Sequence, residues 1–119
     1  MSQNYLKYIQ NETFYELFYV ENINLSHNFL EFIQYHLFRD TINLIDLDLS
    51  FNNIEYIEEK SFQNLKNLKD LYLESNLIIS FNKLGILTSI KNIVLDSYIL
   101  NDSKSFSNLM DSIQVRLFK

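Results

Sequence analysis

The chain of 119 residues has a net charge of −5 and is 47% hydrophobic, with no cysteine, no proline and a single glycine. That apolar share can fill a core and makes disorder a poor fit, while the acidic balance argues against a nucleic-acid binder, which needs a basic face, and equally against a polybasic membrane-surface helix. Without cysteine there is no disulfide frame, thiol nucleophile or thiolate metal site.

No apolar run approaches the roughly 18 residues of a spanning helix, so no direct membrane insertion is expected of this segment. The first residues, MSQNYLKYIQNETFYELF, lack the charged-then-apolar order of a signal peptide.

One pattern of apolar positions recurs along the chain. Residues 1–19 hold Asn4, Leu6, Ile9, Phe14 and Leu17. Residues 20–43 place Val20, Ile23, Leu25, Asn28, Leu30, Ile33 and Phe38 at the same offsets. The clearest unit, 44–67, carries Leu44, Leu47, Leu49, Asn52, Ile54, Ile57, Phe62 and Leu65. Leu68, Leu71, Leu73, Asn76, Ile78 and Phe81 follow in 68–89, and Ile90, Ile93, Leu95 and Leu100 in 90–111. These two units place Leu84/Leu87 and Phe106/Leu109 at matching offsets, and Tyr98 stands where asparagine is expected. Val115 and Leu117, within 112–119, begin another strand.

Each unit has a physical reading. A Leu-x-Leu strand alternates sides with period two, so Leu47 and Leu49 point inward while Asp46, Asp48 and Ser50 point to solvent. One such strand cannot bury its inner face alone, whereas stacked parallel strands share a continuous core. Phe14, Phe38 and Phe62 are expected to stack on the return segments. Asn4, Asn28, Asn52 and Asn76 are expected to form a buried amide ladder that satisfies turn backbone groups.

The repeated L-x-x-L-x-L-x-x-N-x-L spacing resembles the leucine-rich-repeat family, in its 24-residue class with Phe-x-x-Leu on the return. The resemblance covers essentially the whole chain. It implies an α/β-type repeat solenoid of about five turns, a right-handed superhelix with a parallel concave sheet and a mostly irregular or short-helical convex side. The array would comprise a partial repeat at 1–19, repeats at 20–43, 44–67, 68–89 and 90–111, and a partial strand at 112–119.

Catalytic constellations are thin, and no enzyme is expected. His27 and His36 fall on opposite sides of their unit and cannot share a metal. Ser26, His27, Ser50, Asp46 and Asp48 lie near one another, but an open strand surface supplies neither oxyanion donors nor water exclusion. A lone Gly85 cannot form a phosphate loop. No cofactor is implied.

The concave register instead displays Glu21, Asn22 and Asn24, then Asp46 and Asp48, then Lys69, Asp70, Tyr72 and Glu74, then Lys91, Asn92, Val94 and Asp96, with His27 and Phe51 beyond the strands. Its candidate partner-binding residues are Asp46, Asp48, Phe51, Asp70, Tyr72, Glu74 and Asp96: carboxylates to steer a basic protein or peptide and aromatics to anchor it. The bland alternative is an ordinary solvated surface. Sequons at Asn11, Asn24 and Asn101 are about as frequent as chance allows, and a glycan on Asn24 would obstruct that face.

The resemblance implies a protein-interaction module of a receptor-type or matrix-type extracellular protein. An intracellular scaffold or regulatory subunit, and a truncated gene fragment without its own function, are the alternatives. Because neither end of the array shows a polar capping unit, residues 1–119 are expected to be a piece of a longer solenoid and to associate end to end when expressed alone.

Overall fold

The structure, a computed structural model, describes residues 1–58, 60–78 and 90–96 together with the backbone strand at 114–118. The expectations for Phe81, Leu84, Leu87, Tyr98, Leu100, Asn101, Phe106 and Leu109 lie outside the described residues.

Short strands alternate with turns: β1 (Asn22–Asn24), β2 (Phe32–Ile33), β3 (Asp46–Asp48), β4 (Tyr56–Ile57), β5 (Asp70–Tyr72), β6 (Asn92–Asp96) and β7 (Gln114–Phe118). A 3-10 turn at Asn11–Phe14 precedes them. Strands β1, β3, β5, β6 and β7 form one five-stranded sheet in that order, and β2 pairs with β4. Every pairing is parallel, with Asn22 opposite Asp46, Asp46 opposite Asp70, Asp70 opposite Asn92 and Asn92 opposite Gln114. Parallel neighbours require a long return connection, which the units of 22 to 24 residues provide.

Alternation along the strands sends Ile23, Leu47, Leu71 and Ile93 into one core, where Leu25, Leu44, Leu49, Leu68, Leu73 and Leu95 join them. Burying each such aliphatic side chain contributes roughly 1.5–3 kcal/mol. The Phe14 and Phe38 rings stack at 5.8 Å, and Phe38 meets Phe62 at 6.1 Å in a tilted arrangement. All three rings are buried, so the stack of phenylalanines runs through three consecutive turns.

The turn after each strand is held by a repeating hydrogen-bond set. Asn52 Nδ2 donates to the carbonyls of Leu25, Leu49 and Ser50 at 3.0, 3.0 and 3.1 Å, while its Oδ1 accepts from Leu30 N at 3.1 Å. Asn28 and Asn76 repeat the arrangement one turn either way. Each amide therefore ties its own turn to the one before it.

Asn4 departs from the expected ladder, because it is exposed and only its backbone N–H is engaged, to Asn28 Oδ1 at 2.9 Å. Leu17 likewise stands 44% exposed where its repeat counterparts Thr41 and Leu65 are buried.

Ser50 also differs from expectation: it is buried, not solvent-facing. Asp48 Oδ1 accepts from both Ser50 N at 3.0 Å and Ser50 Oγ at 2.6 Å, drawing the hydroxyl back onto the chain. Asn24 holds Ser26 in the same way.

Candidate acidic face of the sheet

The solvent side of the five-stranded sheet is built from rows of residues at equal repeat positions. One row runs Asn22, Asp46, Asp70 and Asn92, each opposite the next. Parallel strands lie about 4.8 Å apart, so the two aspartates are forced into contact. They share a hydrogen bond. That bond, burial and the Asp70 charge hold the Asp46 carboxyl above the usual carboxylate range. The Asp46 and Asn92 hydrogen bonds keep Asp70 below it, with Asn92 Nδ2 donating to Asp70 Oδ1 at 2.7 Å. Lys69 favours the ionised form of both.

A second row runs Asn24, Asp48, Tyr72 and Val94. Asp48 is half-buried and occupied with Ser50, and Tyr72 is half-buried beside it. The third row, Ser26, Ser50, Glu74 and Asp96, turns toward the loops. Burial pushes the Glu74 carboxyl up, with the charges of Asp48 and Asp96 adding to it. Its Oε2 is enclosed without a hydrogen-bond partner. Asp96 is buried, and its two oxygens accept from Ser75 N at 2.7 Å and Asn76 N at 3.1 Å. It caps a turn and presents little to solvent.

Past the strands, Gln3, His27, Phe51 and Ser75 occupy one repeat position with φ of 59°, 57°, 55° and 55°. This is the left-handed region, which costs a non-glycine residue about 1 kcal/mol or more. Cross-turn bonds hold it there: Gln3 N reaches Ser26 O, His27 N reaches Ser50 O and Phe51 N reaches Glu74 O, at 3.0–3.2 Å. The turn places the His27 and Phe51 rings in a parallel stack 4.5 Å apart.

Of the seven residues singled out from sequence, the fold thus gathers Asp46, Asp48, Asp70, Tyr72 and Glu74 on one face. It sets Phe51 at the rim and draws Asp96 into the backbone network. The Asn92–Asp70 clamp depends on a pairing across a shortened repeat, and aligning the two units at their leucines would have found it. The sequon residue Asn24 is exposed, but its Oδ1 is bonded to Ser26, the hydroxyl of the same sequon.

His36 packs against Tyr35, away from His27. Among the described residues no group of His, Asp or Glu side chains is arranged to hold a metal ion, and no helix is long and apolar enough to cross a membrane.

No curated protein matches the chain. The family model described as leucine rich repeat matches residues 18–78, which contain strands β1 to β5, the buried asparagines and the Phe38–Phe62 pair. With just over half its length matched and a parallel sheet built on the same leucines, the chain belongs to the leucine-rich-repeat family.

Proposed function

We propose that this chain is the binding segment of a receptor-type or matrix-type leucine-rich-repeat protein, and that it takes a basic protein or peptide on its sheet face. In this reading the units at 20–43, 44–67, 68–89 and 90–111 wind as a right-handed solenoid with the sheet concave. The family generally serves as a protein-interaction module and not as an enzyme, which fits a surface of open rows. The observation that carries the proposal is the run of carboxylates Asp46, Asp70, Asp48 and Glu74 beside Tyr72 on neighbouring strands. Clustered charge of one sign steers an oppositely charged partner, and a half-buried tyrosine among those charges is a ready anchor.

The test is a peptide array spanning a range of net charge, probed with the wild-type chain, an Asp48→Asn/Tyr72→Ala variant and a Gln63→Ala variant. Gln63 is exposed on the return segment and serves as the control, because Glu58 and Gln34 on that side carry cross-turn hydrogen bonds. Capture of cationic peptides by the wild type and by Gln63→Ala, and its loss in the double variant, is the expected result. Equal capture by all three would remove the sheet face as the binding surface.

A further inference from the structure

Among the described residues, one group of large apolar side chains left in solvent gathers beside the five-stranded sheet. In the segment that leaves each strand turn, Tyr5 is 77% exposed and stacks on Phe29 at 5.7 Å with ring planes 17° apart. Three residues further along, Tyr8, Phe32 and Tyr56 occupy one repeat position and are all exposed. Phe32 and Tyr56 lie directly opposite each other on β2 and β4, where Ile33 and Ile57 turn inward to the core. The core is already complete beneath these rings, so they have no packing duty. An exposed apolar patch of this kind marks an interaction surface.

Charge decides what covers it. Glu31 stands between Phe29 and Phe32 in the chain, and Glu55 immediately precedes Tyr56; both are exposed. The ion pair among the described residues is Arg39–Asp40, so neither glutamate has a cationic partner there. Lys7 is the lone cation at that repeat position. A second copy of the chain would bring its own net charge of −5 against these carboxylates. Aromatic faces interleaved with carboxylates instead suit a guanidinium, which stacks flat on a ring while donating to an acid. The chain uses the stacking half of this chemistry itself, where the Arg39 guanidinium lies 4.1 Å above the Tyr15 ring.

We infer that this flank is a second docking surface, for an arginine-bearing segment of a partner protein laid across Tyr8, Phe32 and Tyr56. It is separate from the acidic sheet face, with its own rings and its own carboxylates.

The experiment measures binding of fluorescein-labelled octa-arginine by anisotropy near physiological salt, with octa-lysine as comparison. The proteins are the wild type, a Tyr8→Ser/Phe32→Ser/Tyr56→Ser variant, a Glu31→Gln/Glu55→Gln variant and an Asp46→Asn/Asp70→Asn variant. The triple variant leaves net charge unchanged and removes only exposed rings. Loss of three exposed cation–π contacts is expected to raise Kd by roughly tenfold or more, and octa-arginine is expected to bind more tightly than octa-lysine. Circular dichroism checks the fold of each variant, and the Glu31/Glu55 variant, expected to weaken binding too, tests the flank if the triple variant fails to fold. Unchanged affinity in a folded flank variant overturns the proposal. If only the Asp46/Asp70 variant then loses binding, the sheet-face reading stands without the flank. A wild-type dimer that becomes monomeric in the triple variant would also overturn it, by making a second copy the occupant.

Discussion

Replacing Asn52 with alanine tests the amide ladder, and the structure allows the cost to be worked out group by group. The side chain serves three carbonyls and one N–H. Each carbonyl has a second donor: Leu25 O keeps Asn28 Nδ2, Leu49 O keeps Asn76 Nδ2 and Ser50 O keeps His27 N. Leu30 N, by contrast, loses its acceptor, and Leu30 is buried. One stranded buried donor costs about 1–3 kcal/mol, and the three weakened carbonyls add little, so Asn52→Ala is expected to destabilise by about 2 kcal/mol. Asn76→Ala strands two groups, Ile54 N and Leu73 O, whose bonds among the described residues are to Asn76. It should therefore cost more than Asn52→Ala. Urea unfolding followed by circular dichroism measures both. A reversed order, or an Asn52→Ala chain as stable as the parent, would refute the claim that orphaned backbone groups set the cost.

The same assay should show a larger effect of core truncation: Leu49→Ala is expected to cost about 2–5 kcal/mol through the cavity it leaves. At Ser75, held at φ 55° with no side-chain hydrogen bond, glycine should stabilise by a few tenths of a kcal/mol to about 1 kcal/mol, because relief of left-handed strain exceeds the added chain entropy; a lower midpoint would show that the turn is not strained. Stability should also depend on pH in a defined sense. Asp46 and Glu74 are held above their ordinary values of 3.8 and 4.5, so their contributions are present at low pH and fade as pH rises through the folded values. Asp70, held below 3.8, contributes above that value and fades as pH falls. Between pH 4 and 7, roughly the window above the ordinary carboxylate values, Asp46→Asn should flatten the decline expected of the wild type; parallel profiles would show that the pair does not share its proton.

Much of the fold was legible because a repeat states its pattern several times over. The Leu-x-Leu pairs locate β1, β3, β5 and β6, and the phenylalanines 24 residues apart locate the stack at 14, 38 and 62. What escaped reading follows from neighbours that a periodic pattern does not encode. Asn4 and Leu17 carry the right residue types yet stand exposed. Ser50 alternates outward by period, yet a cross-link to Asp48 turns it in. The left-handed turn at residues 27, 51 and 75 is usually signalled by glycine; here histidine, phenylalanine and serine occupy it, so composition conceals it. The exposed rings at 8, 32 and 56 were visible in the sequence as aromatics at a constant interval, but a search for core positions passes over them.

The acidic residues of the sheet face divide into two groups once their hydrogen bonds are counted. Asp48 and Asp96 each accept two bonds from the chain itself, and Asn24 shows that an amide does the work of Asp48 equally well. Asp46 and Asp70 bond neither their own turn nor its backbone; they share a hydrogen bond with each other, and Asp70 accepts a second from Asn92. Parallel stacking sets each residue opposite its own repeat position, and like charges directly opposite destabilise a sheet. The row reads Asn22, Asp46, Asp70, Asn92, and the Asn92–Asp70 bond shows that an amide continues the row without repulsion. Where both central carboxylates are ionised, their repulsion works against the fold, and a cationic partner would relieve it. Asp46→Asn/Asp70→Asn is accordingly expected to raise the melting temperature while weakening capture of cationic peptides. Asp48→Ala should instead lower the melting temperature, because it releases Ser50. Differential scanning fluorimetry and the peptide array together read both effects. A double variant that loses stability along with binding would show that the carboxylate pair is structural, and the case for a cationic ligand on the sheet would fall with it.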